Sequence, residues 1–107
     1  MPWTDYPQAA TDNAKRALEH REEHDSKCGT AVGWETARIL SEREAVSVER
    51  LPRIYSFLSR AKVYDQGDFF DSEGNEICGS VMYAAWGGDE MLAWAEETYK
   101  NSEEYKR

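Results

Sequence analysis

The residues in this chain most able to do chemistry are His20-Arg-Glu-Glu-His24. The string reads H-x-x-E-H, the inverted zinc-protease motif. On a helix, His20 and His24 share one face a turn apart, and Glu23 can reach the same side. Such peptidases need a far larger fold and a distal carboxylate ligand. The pair therefore reads as two solvent-facing histidines near a helix end, where positive charge suits the helix dipole. A second combination adds the cysteines. His20, His24 and Cys28 fall at intervals of four, and Cys78 would complete a tetrahedral Cys2His2 set for zinc. No C-x-x-C pair exists, however, and Cys78 is distant in sequence, so two small buried thiols are the preferred reading. Folding is then expected to be independent of zinc, with a chelator leaving thermal stability unchanged.

Other chemistry fails on spacing. The calcium template D-x-[DN]-x-[DN]-G-x5-E would need acidic or amide residues at 69, 71 and 73 before Gly74, and position 69 is Phe69. Cys28 and His24 lack a third orienting group or an oxyanion loop. Gly87-Gly88 belongs to no phosphate loop. The sequence thus names no catalytic residue and no cofactor, and an enzyme is not expected.

Composition bounds the rest. A chain of 107 residues makes one domain with a single modest core. With 40% hydrophobic residues, four Trp and six Tyr, it is too aromatic for a disordered chain. No apolar run approaches the roughly 20 residues of a membrane span. The net charge of −8 disfavours direct nucleic-acid binding, which needs a surplus of Lys and Arg. The one loose basic cluster is Arg50, Arg53, Arg60 and Lys62. The opening Met1-Pro-Trp-Thr-Asp-Tyr-Pro7 has no basic flank and no apolar segment, so no secretory signal is read there. Two cysteines are too few for a disulfide scaffold, and they are expected reduced in a cytoplasm.

The elements that must position these residues are helical. Residues 1–7 read as an arm or cap kept extended by Pro2 and Pro7. Residues 8–23 carry Ala10, Ala14, Ala17 and Leu18 at helical spacing, a narrow face suited to a close neighbour. Thr30 is the expected N-cap of a second helix reaching 41–43. Gly33 inside it costs about 1 kcal/mol against Ala, which points to the close approach of a partner, such as a Trp ring. A third helix starts at Ser47 or, in regular form, at Pro52, and its stripe Leu51, Ile54, Tyr55 and Leu58 is the strongest in the chain. Residues 65–78 form an irregular acidic loop or a small β-hairpin with Gly74 in a left-handed turn position. Two helices follow, broken at Gly87-Gly88, with Ser80 and Asp89 as expected caps and Trp86 and Trp94 filling the core towards the Leu51/Ile54/Leu58 stripe. Residues 100–107 read as a fraying polar tail. Cys28-Gly-Thr30 and Cys78-Gly-Ser80 echo one another just before a helix cap. The fold class is all-α: a compact bundle of four to five helices.

A resemblance emerges from the order of these pieces. Ala14-Lys-Arg-Ala-Leu-Glu-His-Arg-Glu-Glu-His24 is followed by Cys28-Gly-Thr-Ala-Val-Gly33, Ala37-Arg38-Ile-Leu40, Ser56-Phe57 with Arg60, and Cys78-Gly-Ser80. Then come Trp86-Gly-Gly-Asp89 and Trp94-Ala95. The series resembles a small module that recurs in tailed-bacteriophage proteins, alone or appended to head-maturation or other virion-associated proteins, its own role unassigned. It covers about residues 14–95. Its most specific pieces are Gly29, Thr30 and Gly33, then Trp86, Gly87, Gly88 and Asp89, then Trp94. None is a catalytic signature. This chain has His20 where such modules tend to have Trp, and Ala61 where they tend to have His.

The resemblance implies a phage-type protein. The leading expectation is a non-enzymatic helical module that binds a phage or host protein in infection or head assembly, in the host cytoplasm or with the virion. Self-association into a homo-oligomer stays open. The rival is a nucleic-acid-associated protein using the arginine face, or an acidic mimic of DNA charge.

Overall fold

The structure is a computed structural model and describes residues 2–102. It is all-α. Five α-helices follow one another: α1 (Gln8–His24), α2 (Ala31–Ser41), α3 (Arg50–Ala61), α4 (Cys78–Ala85) and α5 (Gly88–Asn101). A 3-10 helix, Lys62–Tyr64, prolongs α3. There is no strand among the described residues, and no helix is long and apolar enough to cross a membrane.

The small residues of α1 set the packing. Ala10, Ala14 and Ala17 are fully buried, so the backbones of neighbouring helices can come close. α1 packs against α2, α4 and α5, while α3 packs against α5 through Leu51, Ile54 and Leu58, also fully buried. Thr30 caps α2, its side chain accepting from the Gly33 N–H. A Cβ at Gly33 would lie 2.5 Å from Met82 Cε and 3.0 Å from Trp86 Nε1, so the close approach is by Trp86 and Met82 together. The start of α3 is irregular. Ser47 Oγ accepts from the Arg50 N–H at 3.0 Å in a turn that precedes the regular helix, which leaves Pro52 in the first turn, where its missing N–H costs little.

The arm is docked. Trp3 exchanges two backbone hydrogen bonds with Val46, of 2.9 and 2.8 Å. Tyr6 is buried and donates its hydroxyl to the Glu44 carbonyl at 2.7 Å, and burial raises its pKa. Arg43 lies 4.5 Å over the Tyr6 ring and donates to Thr11 Oγ1 and to the Tyr6 carbonyl. Trp94 is half-buried and meets Trp3 and Tyr6 edge-on, at 6.3 and 5.9 Å. Trp94, expected to fill the core towards the α3 stripe, is thus half-buried beneath the arm.

Two expected caps are corrected. α4 begins at Cys78, two residues before Ser80, whose buried hydroxyl instead accepts from the Gln66 N–H at 2.7 Å. Asp89 caps nothing with its side chain: Gly87 precedes α5, and Asp89 Oδ1 accepts the Tyr83 hydroxyl at 2.5 Å. Its charge still lies in the first turn, where the helix dipole favours it. The corner itself rests on the glycine pair. Gly87 and Gly88 both take left-handed backbone angles (φ +116° and +75°), and a Cβ on either would strike Met91 or Asn13. Asn13 fills that space and donates to the Gly87 carbonyl at 2.9 Å. We expect Asp89→Ala to cost about 1 kcal/mol, from the lost dipole and hydroxyl interactions. Tyr83→Phe should cost a similar amount, and the double variant little more than either, because both remove one bond. Denaturant midpoints of the three variants check this.

α5 continues to Asn101, with Lys100 Nζ 3.1 Å from Glu96 Oε2. The expected polar tail 100–107 thus begins inside a helix, and residues 103–107 lie outside the described residues.

Candidate functional site

The first candidate is the corner where the end of α1 meets residues 65–78. That segment forms a minimal hairpin: Phe70 and Glu76 make a single antiparallel bridge, and Gly74 takes a left-handed turn conformation (φ +83°). Asp71 holds the tip, its carboxylate accepting from the Glu73 and Asn75 N–H groups at 2.9 and 3.0 Å. The hairpin lays Phe69 and Phe70 against α1.

His20 and His24 do not form a solvent-facing pair. His20 is only 5% exposed, and its Nε2 lies 2.6 Å from Glu76 Oε2. The Phe69 and Phe70 rings stand 5.0 and 5.1 Å from its own. His24 is exposed and packs 5.0 Å from Phe70. The reason is spatial: Glu76 arrives from the hairpin and supplies the buried imidazole with a polar partner, which burial requires. The two rings lie 5.0 Å apart and both meet Phe70, but His20 Nε2 is engaged by Glu76 and Glu23 stays exposed. Among the described residues the three H-x-x-E-H side chains do not bring their ligand atoms together. A cleft of about 320 Å³ opens beside them, walled by Arg16, Glu19, His20, His24, Phe69 and Phe70.

The cysteines are not free thiols. Cys28 and Cys78 form a disulfide with Cα atoms 5.2 Å apart. It ties the α1–α2 connection to the first residue of α4. Cys28 is buried and Cys78 exposed. Glu76 belongs to this same corner, and the sequence marks it only as part of the acidic loop 65–78. The repeated Cys-Gly before a helix, and Glu76 two residues from Cys78, were the available signals.

Hydrogen bonds from the Ser26 side chain, then from His20 and the Lys27 N–H, hold the Glu76 carboxyl below the usual carboxylate range. A folded-state pKa below the unfolded value gives stability that is present above about pH 4.3 and is lost as pH falls through the folded value. The thermal midpoint of Glu76→Gln should therefore lie below that of the parent at pH 6. The gap should close as pH falls below about 4.3, as melts at successively lower pH will show.

The second candidate lies on α3. Phe57 stacks on Trp86 (centroids 4.5 Å apart, planes at 14°), and the pair floors a cleft of about 370 Å³ walled by Pro52, Arg53, Ser56 and Arg60. The basic cluster seen in the sequence divides here. Arg50 is tethered to Thr36 Oγ1 at 2.7 Å. Lys62 sits 3.7 Å from Asp89. Arg60 makes a local bond to the Ser56 carbonyl, and neither it nor Arg53 pairs with a carboxylate among the described residues. Just beyond the helix, Val63 and Tyr64 are 79% and 66% exposed. Arg53, Ser56, Arg60 and Val63 follow one another at helical spacing along this side.

The motif residues Gly29, Thr30, Gly33, Trp86, Gly87, Gly88 and Asp89 lie at helix starts and close approaches rather than around one cleft. The chain matches no known protein family, no curated protein and no solved structure.

Proposed function

We propose that this chain is a non-enzymatic helical interaction module of the tailed-phage type, which binds a protein partner in infection or head assembly through the α3 cleft. The observation that carries the reading is that Arg53 and Arg60, which pair with no carboxylate among the described residues, stand beside the stacked Phe57–Trp86 floor. A protein of net charge −8 has acidic groups to spare, yet among the described residues neither cation is paired with one. Apolar area ringed by unpaired charge is the composition of an interaction patch, in which aromatic and Arg side chains dominate the binding energy. The partner it suits is an acidic polypeptide segment with a protruding apolar side chain. The phage context rests on the sequence resemblance. The disulfide suits a protein that meets an oxidising environment, as a virion does outside the cell.

The test uses a fluorescently labelled peptide of Glu residues interrupted by Leu and Phe. Polarisation should rise with protein concentration and fall with added salt. Arg53→Glu/Arg60→Glu should weaken binding by about tenfold or more, as the loss of two close charge contacts implies, with an unchanged melting midpoint. Asp89→Ala should bind like the parent. A single-stranded DNA oligonucleotide serves as the second arm, because the nucleic-acid reading rests on the same arginines. DNA binding in preference to the peptide would replace this proposal. Failure to bind the peptide, or equal binding by the double arginine variant, would overturn it.

A further inference from the structure

The disulfide corner holds more than a crosslink. The two sulfurs and a Glu76 carboxylate oxygen all lie within 4.8 Å of one another. The Glu76 carboxylate in turn touches the buried His20 Nε2 at 2.6 Å. Three donors thus converge from three separate segments: one thiol from the α1–α2 connection, the carboxylate from the hairpin, and the other thiol from the start of α4, while the α1 imidazole stands against that carboxylate. Zinc takes sulfur at about 2.3 Å and nitrogen or oxygen at about 2.0–2.2 Å, in tetrahedral sets of four. The three clustered donors need only side-chain adjustment to reach that spacing once the sulfurs are no longer bonded, and His20 joins them by exchanging its contact with Glu76 for the metal.

We propose that reduction of Cys28–Cys78 turns this corner into a zinc site ligated by both thiolates, Glu76 and His20. The site differs from the set His20, His24, Cys28 and Cys78 read from spacing: Glu76 takes the place of His24, which is exposed and faces Phe70. The reductant is a thiol. Its thiolate attacks the exposed Cys78 sulfur, forming a mixed disulfide and releasing Cys28 as the thiolate. A second thiol then displaces Cys78. In sum, one protein disulfide and two external thiols give two protein thiols and one external disulfide. Zinc binding then sends the two thiol protons to solvent. Cys78 is the first residue of α4, where the helix dipole favours a thiolate. Ser26 and the Lys27 N–H already orient Glu76, as outer-shell partners of a metal ligand do. Phe69 and Phe70 wall His20 on the cleft side. The oxidised protein remains independent of zinc, and only the reduced protein takes it.

The probe is Co²⁺, followed by Zn²⁺ displacement, on the full chain in oxidised form and after phosphine reduction without oxygen. The reduced protein should take one equivalent, show thiolate-to-cobalt charge transfer with the intense visible bands of tetrahedral geometry, and release two protons. The oxidised protein should take none. Glu76→Gln and His20→Ala should each weaken Zn²⁺ binding by about tenfold or more, while His24→Ala leaves it unchanged. Circular dichroism follows folding throughout: a reduced chain that gains helix on adding Zn²⁺ supports the site, and one that stays unfolded with Zn²⁺ overturns it. So does a folded reduced protein that takes no Co²⁺. Binding indifferent to Glu76→Gln and His20→Ala, or abolished by His24→Ala, would overturn the ligand set.

Discussion

Trp86→Ala should destabilise the protein by about 3–5 kcal/mol, the range for truncating a large buried aromatic. Trp86 is only 6% exposed. One face stacks on Phe57 of α3, and its Nε1 edge lies against Gly33 of α2. The ring thus joins three helices at once, and truncation leaves a cavity between them. The surroundings cannot easily collapse into it, because the adjacent α4–α5 corner is fixed by Gly87, Gly88 and the Asn13 bond. Native domains have only about 5–15 kcal/mol in total, so this one substitution removes a large share. Trp86→Phe should cost much less. It keeps the stacking, and it removes an indole N–H that is buried and has no hydrogen-bond partner among the described residues. Denaturant titration followed by circular dichroism will compare the two. A Trp86→Ala protein within about 1 kcal/mol of the parent would show that the ring does not hold these helices together.

Loss of the disulfide has the second largest expected effect. Cys28 and Cys78 are 50 residues apart in sequence, so their bond removes considerable freedom from the unfolded chain. The loop-entropy relation gives about 4 kcal/mol for such a span, and measured losses are typically about 2–4 kcal/mol. For a domain of this size that lowers the melting midpoint on the order of 10–30 °C. Reductant should lower the parent's midpoint in zinc-free buffer and leave Cys28→Ala/Cys78→Ala unmoved. The single variants should differ from one another. Cys28→Ser places a hydroxyl in a buried site and should cost more than Cys78→Ser, whose side chain meets solvent. A parent midpoint unaffected by reductant, with two thiols titrated per chain, would contradict this account.

The sequence by itself determined the five helices and the character of their faces. Periodicity is local: Leu51, Ile54 and Leu58 share a side whatever lies opposite. Thr30 was legible as a cap because its acceptor and the Gly33 N–H are three residues apart. Gly33 was legible as a close approach because a helix tolerates glycine poorly without one. Where a helix starts was less secure. Ser80 and Asp89 sit in cap-like positions, yet α4 begins two residues earlier and Asp89 is drawn to the Tyr83 hydroxyl.

Only the tertiary structure decided everything that depends on which segments meet. His20 turned inward because Glu76, 56 residues away, comes to its side. The cysteines paired because packing of α1 against α4 brings the start of α4 to the α1–α2 connection. Arg50 was drawn to Thr36, while Arg53 and Arg60 stand at the cleft with no carboxylate partner among the described residues, a distinction that the sequence of Arg50, Arg53, Arg60 and Lys62 does not contain. The arm found Val46 through backbone hydrogen bonds, which carry no side-chain signature. Helical periodicity is an energy between neighbours a turn apart. Burial, pairing and crosslinking are energies between residues made neighbours by the fold, and their partners become visible only when the chain has closed on itself.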